Sequence, residues 1–417
     1  GSIDTMTLSK TLIRAQHFCL LFTSLIKRAS VLIKRTSAVK RTSLIERAAI
    51  LITTAAISTT SAHAEPSLIP SPPSLAAKSY ILIDANSGEV LVEHNADLVL
   101  PPASLTKIMT SYVAAHEISN GNVSLTDKVR ISVKAWRKGG SKMYIKEGDF
   151  VVLEDLLRGI IVQSGNDASI AVAEHIAGAE DAFADLMNQH ALALGMDHSH
   201  FVNATGWPAK DHRTNARDLS LLTRALIQNS PDHYAIYSEK DFTYNLLLWR
   251  DITVDGVKTG HTEEAGYCLV ASAEKDHMRL ISVVMGANSS EARAEESQKL
   301  LTFGFRFYET HQAITANDVL TETKIWMGSR DNLKLGIKDN IVITIPRGKA
   351  DSLNAELDIN SEIRAPIIKG ATYGHLTLKL NGETVAEQPL VALEDIQNSG
   401  LFKRLRHFIY LFILSLL

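Results

Sequence analysis

Cysteine is scarce in this chain, which has two in 417 residues, Cys19 and Cys268. Cys19 lies in an N-terminal segment that we expect to be removed, so no disulfide is expected within the mature chain. Cys268 lies in the apolar run 266–271, which predicts a buried strand. A buried apolar thiol is more often structural than nucleophilic, and we therefore expect Cys268 to take no part in chemistry.

A strong excess of charge is also missing. The formal net charge is -3, beside 45% hydrophobic and 21% charged residues. A nucleic-acid-binding chain normally carries a strongly basic footprint, so we expect no nucleic-acid partner. The composition is that of an ordinary globular protein, and the length favours two or three domains.

No apolar run near the N-terminus is long enough to span a bilayer. The run 48–57 follows basic residues that extend to Arg47, and it has only about half of the roughly 20 residues that a spanning helix needs. Small residues then lead to Ala64, after which we predict signal-peptide cleavage. We therefore expect an exported chain with residues 1–64 as its signal segment; a transmembrane anchor is the alternative.

Residues 65–309 are predicted to form one domain with strands at both ends of its sequence. A polar turn at 86–88 separates two apolar runs, which predicts a hairpin. Leucines at helical spacing predict mainly helices over 103–230, followed by three strands between 254 and 285 and a helix near 293–305. Strands from both ends around a helical insert predict an α+β fold with an antiparallel sheet.

Residues 310–395 follow a different pattern of short strands separated by turns. Apolar runs at 341–345, 376–380 and 384–386 predict strands, and Asn381-Gly382 predicts the hairpin turn between the last two. We find no convincing catalytic constellation in this segment. It is predicted to be a small all-β domain that acts as a spacer or docking module.

Residues 396–417 are predicted to form an amphipathic helix. Basic residues cluster at its start, and one helical face is apolar. Such a helix is typical of a membrane-surface anchor, and a helix packed on the β domain is the alternative. The apolar residues are Leu401, Phe402, Leu405, Phe408, Ile409, Phe412, Ile413 and Leu416, and the basic cluster is Lys403, Arg404, Arg406 and His407.

Three short motifs stand in one order along the chain: Ser104-Leu105-Thr106-Lys107, Ser164-Gly165-Asn166 and Lys258-Thr259-Gly260. Each is weak alone, because the Ser-x-x-Lys pattern recurs. Its other copies are Ser24/Lys27, Ser37/Lys40 and Ser272/Lys275. Two copies lie in the signal segment, and the third ends a strand, where positions three apart face opposite sides. The three motifs in this order predict an active-site serine acyltransferase.

Ser104 is the predicted nucleophile. It follows Pro101-Pro102, which favours a helix start, where backbone N–H groups favour a developing negative charge. Lys107 lies one helical turn further on the same face and can take the Ser104 proton if its amine is neutral. Burial and a nearby cation, for which Lys258 is the candidate, would lower the pKa of Lys107.

Ser164 and Asn166 follow an apolar helix that is predicted to end near Val162. We expect Gly165 to permit a sharp loop that turns both side chains into a cleft. The Ser164 hydroxyl can relay a proton to the leaving amine, and the Asn166 amide can hold a substrate peptide. An ordinary turn loop without catalytic duty is the alternative.

Lys258 and Thr259 lie on a predicted edge strand, to which a peptide substrate can add as a further strand. Gly260 permits close backbone approach. We expect Lys258 and Thr259 to bind the terminal carboxylate of the substrate. The backbone N–H groups of Ser104 and His261 are expected to form the oxyanion hole.

His198 and His200 are the obvious candidates for metal ligands. Two histidines at this spacing are a weak signal, and we find no ligand cluster that accompanies them. We therefore expect neither a metal nor another cofactor.

The chain resembles a type-5 penicillin-binding protein, a serine-type D-Ala-D-Ala carboxypeptidase. The resemblance rests on the three motifs, on Asp255-Gly256 before the third, on Ala265-Gly266-Tyr267 after it, and on the β domain and tail. It covers residues 65–417 and implies a β-lactamase/transpeptidase-like catalytic domain. The implied enzyme removes the terminal D-alanine from peptidoglycan pentapeptides through an acyl-serine intermediate and is acylated by β-lactams. The implied location is the periplasmic face of a bacterial inner membrane, with the tail on the membrane surface.

Two other functions stay open. A secreted β-lactamase shares the first and third motifs, but it is usually one domain with a deacylating glutamate in a loop after the second motif, which we do not find. A non-catalytic cell-wall scaffold would keep the fold without turnover. The resemblance leaves room for it, because related enzymes usually carry an Asn-Arg-Asn stretch where Tyr244-Asn245 here runs almost directly into Leu247.

Overall fold

The structure is a computed structural model that describes residues 69–240 and 243–414. The predicted signal segment, residues 1–64, and Leu416 of the predicted tail lie outside the described residues. All of the described residues belong to one contact unit, Ser67–Leu417.

A five-stranded antiparallel sheet forms the centre of the first domain, in the order β2-β1-β7-β6-β5. Its strands are β1 (Ser79–Asp84), β2 (Val90–His94), β5 (Val254–Thr262), β6 (Gly266–Lys275) and β7 (Met278–Ala287). Strands from both ends of the domain sequence thus pair in one sheet, which confirms the α+β prediction. The strand with the third motif, β5, lies at an edge and pairs only with β6, as predicted.

Both faces of the sheet are covered, because successive side chains of a strand point to opposite faces. On β1, Ile81 and Ile83 join one apolar core with the helical insert, whereas Tyr80 and Leu82 join a second core with the last helix of the domain. This two-sided burial explains why β1 is buried along its whole length and why its central residues, 80–83, form a continuous apolar run rather than alternating. The sheet therefore lies between two helical layers.

The helical insert lies between β2 and β5 and contains a two-stranded ribbon. The predicted leucine stripes of α3 and α6 are buried, as expected for core-facing helix positions. The helices are α1 (Thr106–Ser119), α2 (Val133–Arg137), α3 (Leu153–Ile161), α4 (Asn166–Ala177), α5 (Glu180–Ala193), α6 (Ala216–Asn229), α7 (Pro231–Tyr234) and α8 (Leu247–Arg250), followed after β7 by α9 (Ser290–Phe307); the ribbon strands are β3 (Lys128–Arg130) and β4 (Phe150–Val152).

The β domain contains a five-stranded sheet in the order β12-β13-β14-β10-β9 and a two-stranded sheet of β11 and β8. The predicted turn residues Asn381 and Gly382 have φ values of 52° and 91° and join β13 to β14. Positive φ at both positions is what a two-residue type I′ hairpin requires. The strands are β8 (Tyr308–Ile314), β9 (Thr321–Lys324), β10 (Asn332–Gly336), β11 (Ile341–Pro346), β12 (Leu353–Ile359), β13 (Thr372–Leu380) and β14 (Glu383–Ala392).

The last helix, α10 (Leu401–Leu414), contacts the β domain with one side only. The Met327 N–H donates to Nδ1 of His407 at 2.9 Å, and the Tyr410 ring stacks on Trp326. Most of the predicted apolar face is exposed, including Phe402 at 93% and Phe408 at 58%. In the described part of the chain, no helix combines the length and apolar character that crossing a membrane requires.

Candidate active site

Ser104 lies in a single 3₁₀ turn, Ala103–Leu105, that leads directly into α1. This is the helix-start position that the sequence predicts. The residue before it, Ala103, has a φ of 48°, a left-handed conformation that L-residues other than glycine adopt rarely and at a cost. The chain therefore turns sharply just before the serine, and the strain is held in place by the surrounding contacts.

The side chain of Lys107 is directed at the serine from the first turn of α1. Its Nζ lies 3.0 Å from the Ser104 Oγ and donates to the Thr205 carbonyl oxygen at 2.6 Å. Lys107 is 1% exposed, and burial, then the charges of Lys258 and Lys138, lower its pKa well below the ordinary value. These are the predicted causes, and they favour the neutral amine that can accept a proton.

The second motif differs from the sequence prediction in which residue bends the chain. Ser164, not Gly165, has the positive φ, at 59°, whereas Gly165 caps α4 with a φ of -63°. Gly165 is needed for a different reason: a Cβ there would lie 3.2 Å from the Gly159 carbonyl oxygen and 3.3 Å from the Met143 nitrogen. The loop is thus tight because two neighbouring segments approach it closely.

Ser164 is 4% exposed and lies at the predicted place between α3 and α4. In the described part of the chain, no hydrogen bond joins its hydroxyl to Ser104 or Lys107. The first and second motifs are therefore not linked by a direct side-chain bond.

Asn166 and its neighbour Asp167 hold the loop 139–145. The Asn166 Nδ2 donates to the Gly139 carbonyl at 2.8 Å, and the Asp167 carboxylate accepts the N–H groups of Met143 and Tyr144, each at 2.9 Å. Asp167 is fully buried. Asp167 is not among the site residues predicted from the sequence, although a carboxylate in the first turn of a helix, directly after a motif, is a recognisable anchor for backbone N–H groups.

The third motif lies against the serine turn. A Cβ on Gly260 would lie 3.2 Å from both the Leu105 nitrogen and the Pro102 carbonyl oxygen, so glycine permits the close approach that the sequence predicts. Lys258 is 3% exposed, and burial, followed by the charge of Arg293, lowers its pKa to about 7. Lys258 lies close enough to Lys107 for its charge to lower the pKa of that amine, so a second buried lysine lies beside the Ser104–Lys107 pair.

Arg293 of α9 supports the end of β5 and was not predicted from the sequence. Its Nη1 donates to the carbonyl oxygens of Gly260 at 3.1 Å and Cys268 at 3.4 Å. The guanidinium carbon lies 5.6 Å from the centre of the Tyr267 ring, against which the exposed His261 ring packs. No motif marks this arginine, because its partners are backbone atoms of two strands.

The loop 203–207, which was also not predicted from the sequence, presents the carbonyl that holds Lys107. The Asn203 Oδ1 accepts the N–H groups of Thr205 at 3.1 Å, Gly206 at 2.8 Å and Trp207 at 3.2 Å. Gly206 has a φ of 82°, and a Cβ on it would lie 1.8 Å from the Ala103 carbonyl oxygen. The loop is therefore packed directly on the turn that carries the serine.

A cavity of about 590 Å³ borders this group and is lined by Ala103, Gly206, Thr262 and Glu264 among others. It opens beside the serine turn and the end of β5. Within the described ranges, His198 and His200 belong to no cluster of potential metal ligands. The arrangement that the structure does contain is a hydroxyl, a buried amine, a second buried cation and an edge strand, which are the parts that acyl transfer to a serine requires.

Sequence comparison identifies the relatives of the chain. The family model for D-alanyl-D-alanine carboxypeptidases, peptidase S11, matches residues 67–289, and the model for the C-terminal domain of penicillin-binding protein 5 matches residues 308–398. The chain is 44% identical over 361 residues to the D-alanyl-D-alanine carboxypeptidase DacA of Escherichia coli strain K12, which covers 83% of this chain and 90% of that relative.

Solved structures give the same result. The match to penicillin-binding protein 5 from Haemophilus influenzae has a TM-score of 0.76 and 38% identity, and it covers 79% of this chain and 100% of that protein's chain. Penicillin-binding protein D2 from Listeria monocytogenes, solved in the ampicillin-bound form, matches with a TM-score of 0.52 and 32% identity over 56% of this chain and 100% of that one. The central sheet, the helical insert and the β domain are therefore an arrangement shared with penicillin-binding proteins.

Proposed function

The chain belongs to the peptidase S11 family of D-alanyl-D-alanine carboxypeptidases, and from this premise we propose that it removes the terminal D-alanine from peptidoglycan pentapeptide stems through an acyl-serine intermediate. The reaction is a hydrolysis: Ser104 attacks the peptide carbonyl, D-alanine leaves, and water releases the shortened peptide. β-Lactams are expected to acylate the same serine and to inhibit the enzyme.

The observation that carries the proposal is the contact between Lys107 and Ser104. The two side-chain atoms lie 3.0 Å apart, within hydrogen-bond reach, and the amine is almost fully buried. A buried amine next to a second cation has a lowered pKa and can serve as a general base near neutral pH. Lys107 is therefore assigned the removal of the Ser104 proton.

Ser164 and Asn166 are assigned to the leaving side of the reaction. Ser164 relays the proton from Lys107 to the departing amine, through contacts that form once substrate fills the cleft, since catalytic hydrogen bonds often tighten only in the complex. Asn166 keeps one amide N–H for the substrate peptide, because its bond to Gly139 uses only one of two. Its position at the start of α4 supports this role.

Lys258 and Thr259 are assigned to the terminal carboxylate of the substrate. Both lie on the edge strand β5, beside Gly260, where a peptide can pair as one more strand. The backbone N–H groups of Ser104 and His261 are assigned to the oxyanion hole, in which preorganised donors stabilise the charge that develops on the carbonyl oxygen. The close approach of β5 to the serine turn supports this pairing.

The domain division is proposed as 1–64 for the signal segment, 65–309 for the catalytic domain, 310–395 for the β domain and 396–417 for the tail helix. The ranges of the two family matches support the middle two. We place the mature enzyme at the periplasmic face of the inner membrane, peripherally attached through the tail. The exposed apolar side of α10, opposite its contacts with the β domain, supports this attachment.

Two measurements on the purified chain and on Ser104→Ala test the proposal: D-alanine release from a pentapeptide ending in D-Ala-D-Ala, and the intact mass after brief exposure to benzylpenicillin. We expect D-alanine release and a drug-sized mass increase for the parent alone. An adduct without D-alanine release would favour the scaffold. Hydrolysed drug without an adduct would favour a β-lactamase. If the drug stayed intact and no adduct formed, the assignment of Ser104 as an acylable nucleophile would be overturned.

A further inference from the structure

Two histidines and a glutamate from separate helices meet on the surface of the helical insert. His116 and Glu117 lie near the C-terminal end of α1, and His190 lies near the end of α5. None of the three belongs to the motifs of the active site. The sequence does not reveal the group, because its third member comes from a distant helix.

The three side chains offer ligand atoms at spacings suited to one metal ion. One nitrogen from each histidine and one carboxylate oxygen of Glu117 all lie within 4.8 Å of one another, and the two imidazole centres are 4.7 Å apart at an angle of 72°. Tetrahedral zinc with bonds of about 2.0–2.1 Å brings its ligand atoms to roughly 3.3 Å from each other. Metal binding therefore requires side-chain rotations that bring the ligand atoms closer together. His116 is exposed and the other two side chains are half-buried, which leaves room for such rotations.

Neighbouring residues orient two of the three side chains. The Tyr112 ring meets the His190 ring edge to face at 5.5 Å, and the Asn122 Nδ2 donates to the Glu117 Oε2 at 2.6 Å. Outer hydrogen bonds of this kind commonly hold metal ligands in place. Among the described residues, no basic side chain forms an ion pair with Glu117, so its charge is available to a cation.

We propose that His116, Glu117 and His190 form a surface site for a divalent transition metal ion, and that the ion is Zn²⁺. Two imidazoles and one carboxylate are a common zinc ligand set, and water completes the tetrahedron. Mg²⁺ and Ca²⁺ prefer all-oxygen ligands and are excluded by the histidines. The bound ion would link the end of α1 to α5. The site lies away from Ser104, so the ion would stabilise the native fold and would not contact the reacting groups.

Calorimetric titration with ZnCl₂, and separately with MgCl₂, tests the site on the purified chain. We expect one equivalent of zinc to bind saturably, magnesium not to bind, and the thermal unfolding temperature to rise with zinc, since a ligand that binds only the native state stabilises it. His116→Ala and His190→Ala should each weaken zinc binding by about tenfold or more. The exposed histidine variant His198→Ala is the matched control and should bind zinc like the parent.

Glu117→Gln keeps the size and the Asn122 contact of the native side chain but removes the charge, and it should also weaken zinc binding. Circular dichroism establishes that each variant is folded. Zinc binding that is absent in the parent, or equal in the parent and in all three ligand variants, would overturn the site. The acylation of Ser104 by benzylpenicillin should not change with any of these substitutions.

Discussion

The Nζ of Lys107 donates to the backbone carbonyl oxygen of Thr205 at a distance of 2.6 Å. This bond leaves the amine pointing at Ser104, 3.0 Å away. A buried amine is costly unless its hydrogen bonds are satisfied, so the Thr205 carbonyl both stabilises Lys107 and fixes its direction. The geometry of the proposed base therefore depends on the loop 203–207, which no motif contains.

We expect Asn203→Ala to slow acylation of Ser104 because it releases this loop. The Asn203 Oδ1 holds the N–H groups of Thr205 and Gly206, and a displacement of the Thr205 carbonyl by about 1 Å is enough to cost roughly 100-fold in rate. Stopped-flow acylation by a chromogenic β-lactam measures the effect. Asn188→Ala is the matched control, because Asn188 also binds backbone atoms, those of Phe201, but not this loop; equal slowing in both variants would point to general destabilisation instead.

Lys107→Met should abolish most of the acylation while leaving the fold intact. Methionine fills a similar volume without a proton acceptor, and a positioned general base contributes about 10²- to 10⁴-fold. The second-order rate of acylation by benzylpenicillin is the measurement. His261→Ala is the comparison, since His261 is exposed and only its backbone N–H is assigned a role; if His261→Ala lost more activity than Lys107→Met, the base would have been misassigned.

Substrate affinity should fall as pH rises through about 7. Burial and Arg293 lower the pKa of Lys258 to about 7, so the side chain is charged below that pH and neutral above it. Only the charged form attracts the terminal carboxylate, and KM for a D-Ala-D-Ala peptide should therefore rise from pH 6 to pH 8. Lys258→Arg keeps the charge over this range and should flatten the KM profile; a KM that rises equally in Lys258→Arg would rule out Lys258 as the titrating group.

The sheet, the β domain and the places of the three motifs could be predicted because each depends on a local pattern. Alternating or continuous apolar runs define the strands, and leucine spacing defines α3 and α6. The structural setting of each Ser-x-x-Lys copy then selects Ser104 as the predicted nucleophile. Even the lowered pKa of Lys107 followed from the expectation of burial and of a second lysine nearby.

The supporting residues could not be predicted, because their partners are backbone atoms. Asn203 accepts from backbone N–H groups and Arg293 donates to backbone carbonyl oxygens, and no motif records such backbone partners. The general preference of glycine for positive φ predicts that Gly165 bends the chain at the second motif. Ser164 adopts that conformation instead, and the glycine serves the close contacts with Gly159 and Met143.

Gly206→Ala should destabilise the protein far more than Gly121→Ala does. Both glycines have positive φ, 82° and 74°, but a Cβ at Gly206 would lie 1.8 Å from the Ala103 carbonyl oxygen, whereas nothing lies within 4 Å at Gly121. The left-handed conformation alone costs about 1–2 kcal/mol for alanine, and only Gly206→Ala adds a clash. Thermal unfolding of both variants isolates this difference, and similar melting temperatures would show that the loop moves away freely.

Leu405→Ser combined with Phe408→Ser should weaken membrane binding without lowering the melting temperature. These side chains are 59% and 58% exposed on α10, so the folded protein loses little packing with them. Burying each in a bilayer contributes roughly 1.5–3 kcal/mol, and the pair should weaken binding by about 100-fold or more. Sedimentation with vesicles containing phosphatidylglycerol measures the effect.

His407→Ala should loosen the contact between α10 and the β domain without weakening membrane binding. It removes the acceptor for the Met327 N–H and the edge contact with Trp326, so it should loosen the docking of α10 on the β domain and expose trypsin sites in the helix. The apolar face is unchanged, and vesicle binding should persist. If the variant with both Leu405→Ser and Phe408→Ser kept its vesicle binding and instead had a lower melting temperature, the apolar side of α10 would be a packing surface within the protein rather than the part that enters the membrane.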